Sequence, residues 1–237
     1  MEVVGLSVRV ILMEPEKAGN IGSVSRSMKN FDLEDLWIVN PKAPLDGEAR
    51  AYAMGGLTVL SSARIVKVLD DALKGVHLVV GTSSVTAKSP TNLSRISTTP
   101  ELLAKKIASA KGKVGIVFGR ESSGLSNEEV EKCDFMVNIP ANREYTVLNI
   151  ATAASIVFYE IFRTRTKGKI ELASGITKRR LMNQFDQLTK HCDIQPHRRR
   201  LARRAFRNVL SRSFIAKREA SLILGVLRKA ATKCKLK

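Results

Sequence analysis

The stretch FGRESSGLSNEE, residues 118–129, places glycines, hydroxyls, an arginine and glutamates directly after an apolar run. Gly119 and Gly124 have the spacing of a phosphate-binding P-loop and Ser126 takes its hydroxyl position, but Leu125 stands where the lysine belongs. Without that lysine nothing in the loop neutralises terminal phosphates, so a P-loop nucleotide site is unsupported. Two other stretches carry polar groups at regular spacing. In EPEKAGNIGSVSRSMKNF, residues 14–31, Asn20 is read as the cap of a helix with Ile21, Val24, Met28 and Phe31 on one face. Asn20, Ser23, Arg26, Ser27 and Asn30 form an adjacent polar face, on which Arg26 is either an ordinary solvated side chain or a ligand contact. In IPANREYTVLNIATAASIVFYEIF, residues 139–162, Asn149 stands near the start of an almost wholly apolar helix, as a structural cap or a ligand contact.

These side chains need a scaffold, and the first 162 residues alternate strand-like with helix-like runs. LSVRVILM alternates at Leu6, Val8, Val10 and Leu12; DLWIVN, VHLVVG, KVGIVFG and FMVNIP are short apolar runs bounded by Gly, Pro or Asn. Thr99-Pro100-Glu101 predicts a helix start, and Ser126 with Glu129 a capping box. The order predicts an α/β fold with an open, mostly parallel sheet covered by helices. Ligands of such sheets bind beyond the carboxyl ends of the strands, where Gly81-Thr82-Ser83, Gly119-Arg120-Glu121 and Ile139-Pro140 fall. No G-x-G-x-x-G follows any of these strands, so a dinucleotide site is unsupported.

Residues 163–177 lack periodicity for most of their length and read as a linker between a domain over 1–162 and a basic helical region over 178–237. That region predicts about three short helices, through Leu181, Phe185 and Leu188, then Leu201, Ala205, Phe206 and Val209, then Ala220, Ile223, Leu224 and Leu227. In the second, Arg199, Arg200, Arg203, Arg204 and Arg207 fall largely opposite Leu201, Ala205 and Val209, which predicts an outward arginine stripe suited to phosphates.

Composition supports a nucleic-acid partner. The chain of 237 residues has a formal charge of +18, and residues 178–237 carry 18 Lys and Arg against 3 Asp and Glu. Such a concentration gains from counterion release on a phosphate backbone. With 44% hydrophobic residues the chain can bury a core. No apolar run approaches the roughly 18 residues of a membrane span, and MEVVGLSVRV lacks the pattern of a signal peptide, so a cytoplasmic protein with no membrane partner is expected. Cys133, Cys192 and Cys234 are widely spaced, and with His191 and His197 they offer no metal-ligand spacing, so no metal is expected.

Taken together and in this order, N-x-x-S-x-x-R (Asn20, Ser23, Arg26), F-G-R-E-x-x-G-L (residues 118–125) and I-P-A-N-x-E-Y-x-x-L-N (residues 139–149) resemble the signature motifs of the SPOUT class of RNA ribose methyltransferases, SpoU branch. Glu144-Tyr145 before Leu148-Asn149, with a basic helical extension at the C-terminal side, resembles the TrmJ type within it. The likeness covers about residues 6–162. It implies a parallel sheet with a C-terminal trefoil knot, and a homodimer. The implied activity is S-adenosylmethionine-dependent 2′-O-methylation of a tRNA ribose, at the first nucleotide of the anticodon loop (position 32), on cytidine and also uridine. Ribosomal RNA is the alternative substrate, and a non-catalytic RNA-binding protein the alternative class.

By the same resemblance, Gly81, Thr82, Ser83, Phe118, Gly119, Ile139 and Leu148 surround the cofactor, whose lack of phosphates explains the missing lysine. Arg26 contacts the ribose and phosphate; Asn20, Glu121 and Asn149 shape the pocket; Arg120 adds charge near the RNA. Guanidinium stays protonated in proteins, so the proton of the ribose hydroxyl goes to a phosphate oxygen oriented by Arg26, or to Glu121. One departure stands out: the family often has Ser-Leu-Asn where this chain has Val147-Leu148-Asn149, with Thr146 one place earlier.

Overall fold

A computed structural model describes residues 6–84, 97–108, 110–164, 170–192 and 194–235. In chain order the elements are β1 (Leu6–Met13), α1 (Ala18–Asn30), β2 (Asp35–Val39), α2 (Gly47–Ala53), a 3-10 turn (Met54–Gly56), α3 (Leu57–Ser61), β3 (Arg64–Val66), α4 (Leu69–Ala72) and β4 (Leu78–Thr82). There follow β5 (Ser97–Thr98), α5 (Pro100–Ile107), β6 (Ala110–Phe118), α6 (Asn127–Lys132), β7 (Phe135–Val137), α7 (Ile150–Arg163), β8 (Ile170–Glu171), α8 (Gly175–His191), α9 (Pro196–Arg212) and α10 (Lys217–Lys235).

The sheet order is β3-β2-β1-β6-β4-β7-β5, every pairing along it is parallel, and β8 adds to the start of β6. Both faces are covered, which is why the central strands read as continuous apolar runs. Val10, Leu12, Ile38, Val80, Ile116 and Phe118 meet α1, α5 and α7 on one face. Ile11, Met13, Trp37, Val39, Val117 and Met136 meet α4 and α6 on the other. Arg9 belongs to this second face and is 5% exposed. Its guanidinium lies 4.1 Å from the Trp37 ring centre and donates to Asp35 and to the Ala72 and Lys74 carbonyls. A charge is tolerated there because a carboxylate and two carbonyls pair with it.

The helix starts predicted at Thr99 and Ser126 hold. Thr99 accepts from Leu102 N–H with Pro100 in the first turn, and Ser126 and Glu129 form a reciprocal capping box. The helix start at Asn20 differs from expectation. α1 begins at Ala18 after Lys17, so Asn20 lies inside the first turn with its amide free to point elsewhere.

The stretch expected as a linker is partly structured. Residues 165–169 lie outside the described residues, but Ile170–Glu171 pairs with β6, Leu172 and Ala173 are buried, and Ser174 caps α8. The three expected C-terminal helices are α8, α9 and α10. They share a small core of Leu181, Met182, Leu210, Ile215 and Ala220, with Phe185 and Phe206 stacked at 4.2 Å between ring centres.

The arginine stripe is corrected more sharply. Leu201 and Val209, expected inward, are each 56% exposed, and Ala205 is exposed with them. Arg204 and Arg207 turn towards the sheet domain instead, where Arg204 approaches Glu131 and Arg207 donates to the Cys133 carbonyl at 3.2 Å. Arg203 pairs with Asp186, Arg199 donates to the Ile194 carbonyl, and Arg200 is exposed. The helix has two apolar sectors, and Phe206 with Leu210, not Leu201 with Val209, meets α8. The acidic stretch of Glu128, Glu129, Glu131 and Asp134 on α6 and its exit then favours arginines on the docked side.

Candidate active site

All strands of the sheet path run the same way, so the ends of β1, β4, β6 and β7 open on one edge. The loop after β6 is drawn tight by its glycines. Gly119 lies so close to Gly124 that a Cβ would stand 2.3 Å from the Gly124 carbonyl carbon, and Gly124 has φ +68°. Arg120 and Gly124 exchange backbone hydrogen bonds of 3.1 and 2.9 Å across the turn. Arg120 locks it further, donating to Glu14, to both carboxylate oxygens of Glu129 and to the Gly124 carbonyl. The Glu129 contact is foremost in holding the Arg120 guanidinium above its ordinary range. Burial opposes ionisation of Glu129, yet Arg120 and the Ser126 N–H keep its carboxyl below the usual range. Arg120, expected at the RNA, is therefore committed inside the protein.

With the loop fixed, a chain of hydrogen bonds joins all three polar segments. Asn149 caps α7, its Oδ1 accepting from Ala151 and Thr152 N–H at 2.8 and 3.4 Å. Its Nδ2 donates to Asn20 Oδ1 at 3.0 Å, and Asn20 Nδ2 donates to Glu121 Oε1 at 2.7 Å. Glu121 Oε2 accepts from Glu16 N–H at 2.9 Å. The Glu16 carboxylate accepts in turn from Ser122 N–H and Oγ, closing the β1–α1 loop onto the β6–α6 loop. An amide has two N–H donors, so Asn20 and Asn149 each keep one beyond those committed in this chain.

Beside it lies an open cleft of about 510 Å³. Asn20, Glu121 and Asn149 line it, as do Thr82, Ser83, Phe118, Gly119, Ile139 and Leu148. Thr146 and Val147 also line it, on a stretch whose residues 141–147 are all exposed. Two expected residues stand apart. Gly81 is packed behind the cleft, where a Cβ would meet Met136 Sδ at 2.7 Å and Cys133 Sγ at 2.8 Å. Arg26 is exposed on α1 and does not line the cleft. Sequence reasoning missed Glu16, whose only signal was its place two residues after Glu14 in an acidic loop start.

The sequence profile described as the SpoU rRNA Methylase family matches residues 7–159, which span every element from β1 to α7 and all three segments. The chain belongs to the SpoU methylase family. Over 229 residues it is 34% identical to the tRNA (cytidine-2′-O-)-methyltransferase TrmJ of Methanocaldococcus jannaschii, covering 94% of this chain and 99% of that one. Over 156 residues it is 45% identical to the tRNA (cytidine/uridine-2′-O-)-methyltransferase TrmJ of Escherichia coli O6:K15:H31, covering 65% of this chain and 62% of that one. The chain thus spans less than two thirds of the bacterial relative. Among solved structures, TrmJ from Z. mobilis ZM4 superposes with a TM-score of 0.70 at 28% identity, covering 93% of this chain and 97% of that one.

The SpoU core also explains the cleft's chemistry. Its walls offer apolar side chains (Phe118, Ile139, Leu148) and the strand-end groups of Thr82, Ser83 and Gly119, with Lys17 also in the lining. That make-up suits a nucleoside that carries an amino-acid tail and no phosphate.

Proposed function

We propose that the cleft binds S-adenosylmethionine and that the chain methylates a ribose 2′-hydroxyl of tRNA, at the first nucleotide of the anticodon loop, on cytidine and also uridine. The observation that carries this reading is the hydrogen-bond chain from Glu121 through Asn20 to Asn149, which unites the three motif segments on one edge of a cofactor-sized cleft. When bound, S-adenosylmethionine supplies an electrophilic methyl; the ribose oxygen forms the new bond, the S–C bond breaks and the hydroxyl proton leaves to an acceptor. Phe118, Ile139 and Leu148 take the adenine side, and the N–H groups left on Asn20 and Asn149 orient polar atoms at the cleft mouth.

Glu121 already accepts at both carboxylate oxygens, which makes it a positioning residue for Asn20. Arg26, as a permanent cation, holds the phosphate next to the target ribose, and an oxygen of that phosphate takes the proton. The bent cofactor pose and the trefoil knot around it belong to this reading. So does a homodimer, supported by Tyr159 and Phe162, about half exposed on α7 beside the Phe31 ring. The basic helices would flank the RNA. No helix among the described residues is long and apolar enough to cross a membrane.

The deciding experiment offers labelled S-adenosylmethionine with unmodified tRNA and ribosomal RNA in parallel, then maps the modified nucleotide. Label on a ribose at the start of the anticodon loop supports the proposal. Label on ribosomal RNA keeps the chemistry and overturns the substrate, and cofactor binding without transfer to either would make this a binding protein.

A further inference from the structure

Beside α1 runs a ledge that the cleft does not include. Tyr52, Met54 and Leu57, on α2, the turn after it and the start of α3, are 54%, 58% and 37% exposed. Glycines set this ledge directly against α1. A Cβ on Gly19 would stand 3.3 Å from the Tyr52 ring, and one on Gly22 would stand 2.9 Å from Tyr52 Cβ. A Cβ on Gly56 would come within 2.6 Å of Arg26 N. The ledge therefore follows α1 from beside Asn20 to beside Arg26, and on the helical wheel Gly19, Gly22 and Arg26 share one side. Met54 has φ 46° and ψ −122°, a conformation suited to glycine, although Gly55 stands next to it. A side chain more than half exposed at such a position gains little packing in return for the strain, which points to a use outside the fold.

We propose that Tyr52 and Met54 form a platform for a nucleobase of the RNA strand whose phosphate Arg26 holds. The inference rests on the methyl-transfer reading above. Loop nucleotides are recognised with their bases splayed onto aromatic faces, and a methionine sulfur makes favourable contacts with aromatic rings. A strand anchored at Arg26 has this ledge immediately beside it, whereas the other neighbours of α1, the sheet and α7, are already packed.

The test compares wild type with Met54→Gly, Tyr52→Ala and Tyr52→Phe, using an unmodified anticodon stem–loop. KM for the stem–loop should rise about tenfold in Met54→Gly and Tyr52→Ala, in line with loss of one stacked base. kcat and S-adenosylmethionine affinity should stay within twofold of wild type. Tyr52→Phe should keep the wild-type KM, because the ring face is retained. Met54→Gly should melt no lower than wild type, since it relieves the strained backbone, so its effect cannot be assigned to unfolding. Wild-type KM in both Met54→Gly and Tyr52→Ala, in an enzyme that methylates the stem–loop, overturns the platform alone. A fall in sedimenting mass in Tyr52→Ala also overturns it, by making the ledge a contact between two copies of the chain. If wild type neither binds nor methylates the stem–loop, the methyl-transfer reading and the platform fall together.

Discussion

Asn20 shows how a residue can matter where expected for a different reason. The N-cap rule selects it by type, yet the helix starts two residues earlier and its amide spans Glu121 and Asn149. Both oxygens of Glu121 act as acceptors, so a carboxylate is required. In Glu121→Gln the amide NH2 must face either the Asn20 NH2 or the Glu16 N–H, donor against donor. Transfer should drop about tenfold or more through misplacement of Asn20, with the fold retained, as circular dichroism and single-turnover kinetics would show. Arg26 lies outside the cleft, so Arg26→Ala should lower transfer at least about 100-fold, the scale of losing one charge-stabilising donor, with cofactor affinity within twofold. Isothermal titration with S-adenosylmethionine checks it, and joint loss of binding and transfer would mean Arg26 belongs to the cofactor pocket.

The loops and strand ends show their properties through protonation. Asn40 and Arg120, donating to Glu14, hold that carboxyl below its ordinary range, as Arg120 and Ser126 N–H do for Glu129. Depressed carboxyl values favour folding above the unfolded value, 4.5, and the contribution is lost as pH falls through the folded one. Glu129→Gln should therefore melt lower than wild type at pH 7, with the gap closing as the pH falls below 4.5 and through the folded value.

His77 behaves differently in origin but shares the sign. Burial, then Lys178, lower it below 6.5, and its Nδ1 accepts from Lys113 N–H at 3.1 Å, which requires the neutral ring. The unfolded chain takes up the proton first as pH falls below 6.5, so the melting temperature should decline from pH 7 to 5. His77→Asn, which keeps an acceptor and cannot titrate, should flatten that decline.

For the molecule as a whole, the basic helices are docked, not tethered. Asp134, half-buried just before β7, accepts from Val79 N–H, Lys178 and Ser211, so a carboxylate of the sheet domain serves as a latch for two C-terminal helices. Lys178→Met removes one partner of this little-exposed pair and should cost about 3 kcal/mol of stability, measured by denaturant unfolding. The corrected arginine orientation divides the stripe by role. Arg200→Ala should weaken tRNA binding and reduce the salt slope by about one, whereas Arg207→Ala should lower the melting temperature with a smaller effect on RNA.

The long strands were legible because apolar runs buried on both faces leave a strong pattern. β3, β5 and β8 have only two or three residues each and leave none. The capping signals at Thr99 and Ser126 were legible for the same reason, since each is settled within four residues of chain. By itself the sequence determined the alternating α/β order, the charge imbalance and the three motif segments, because those depend on local spacing and composition. Only the tertiary structure decided that Arg120 is an internal tie, that Arg204 and Arg207 face inward and that Asn20 bridges Glu121 and Asn149. Each of those depends on which partner lies across space, and Glu121 is 101 residues from Asn20 in the chain and 2.7 Å away in the fold.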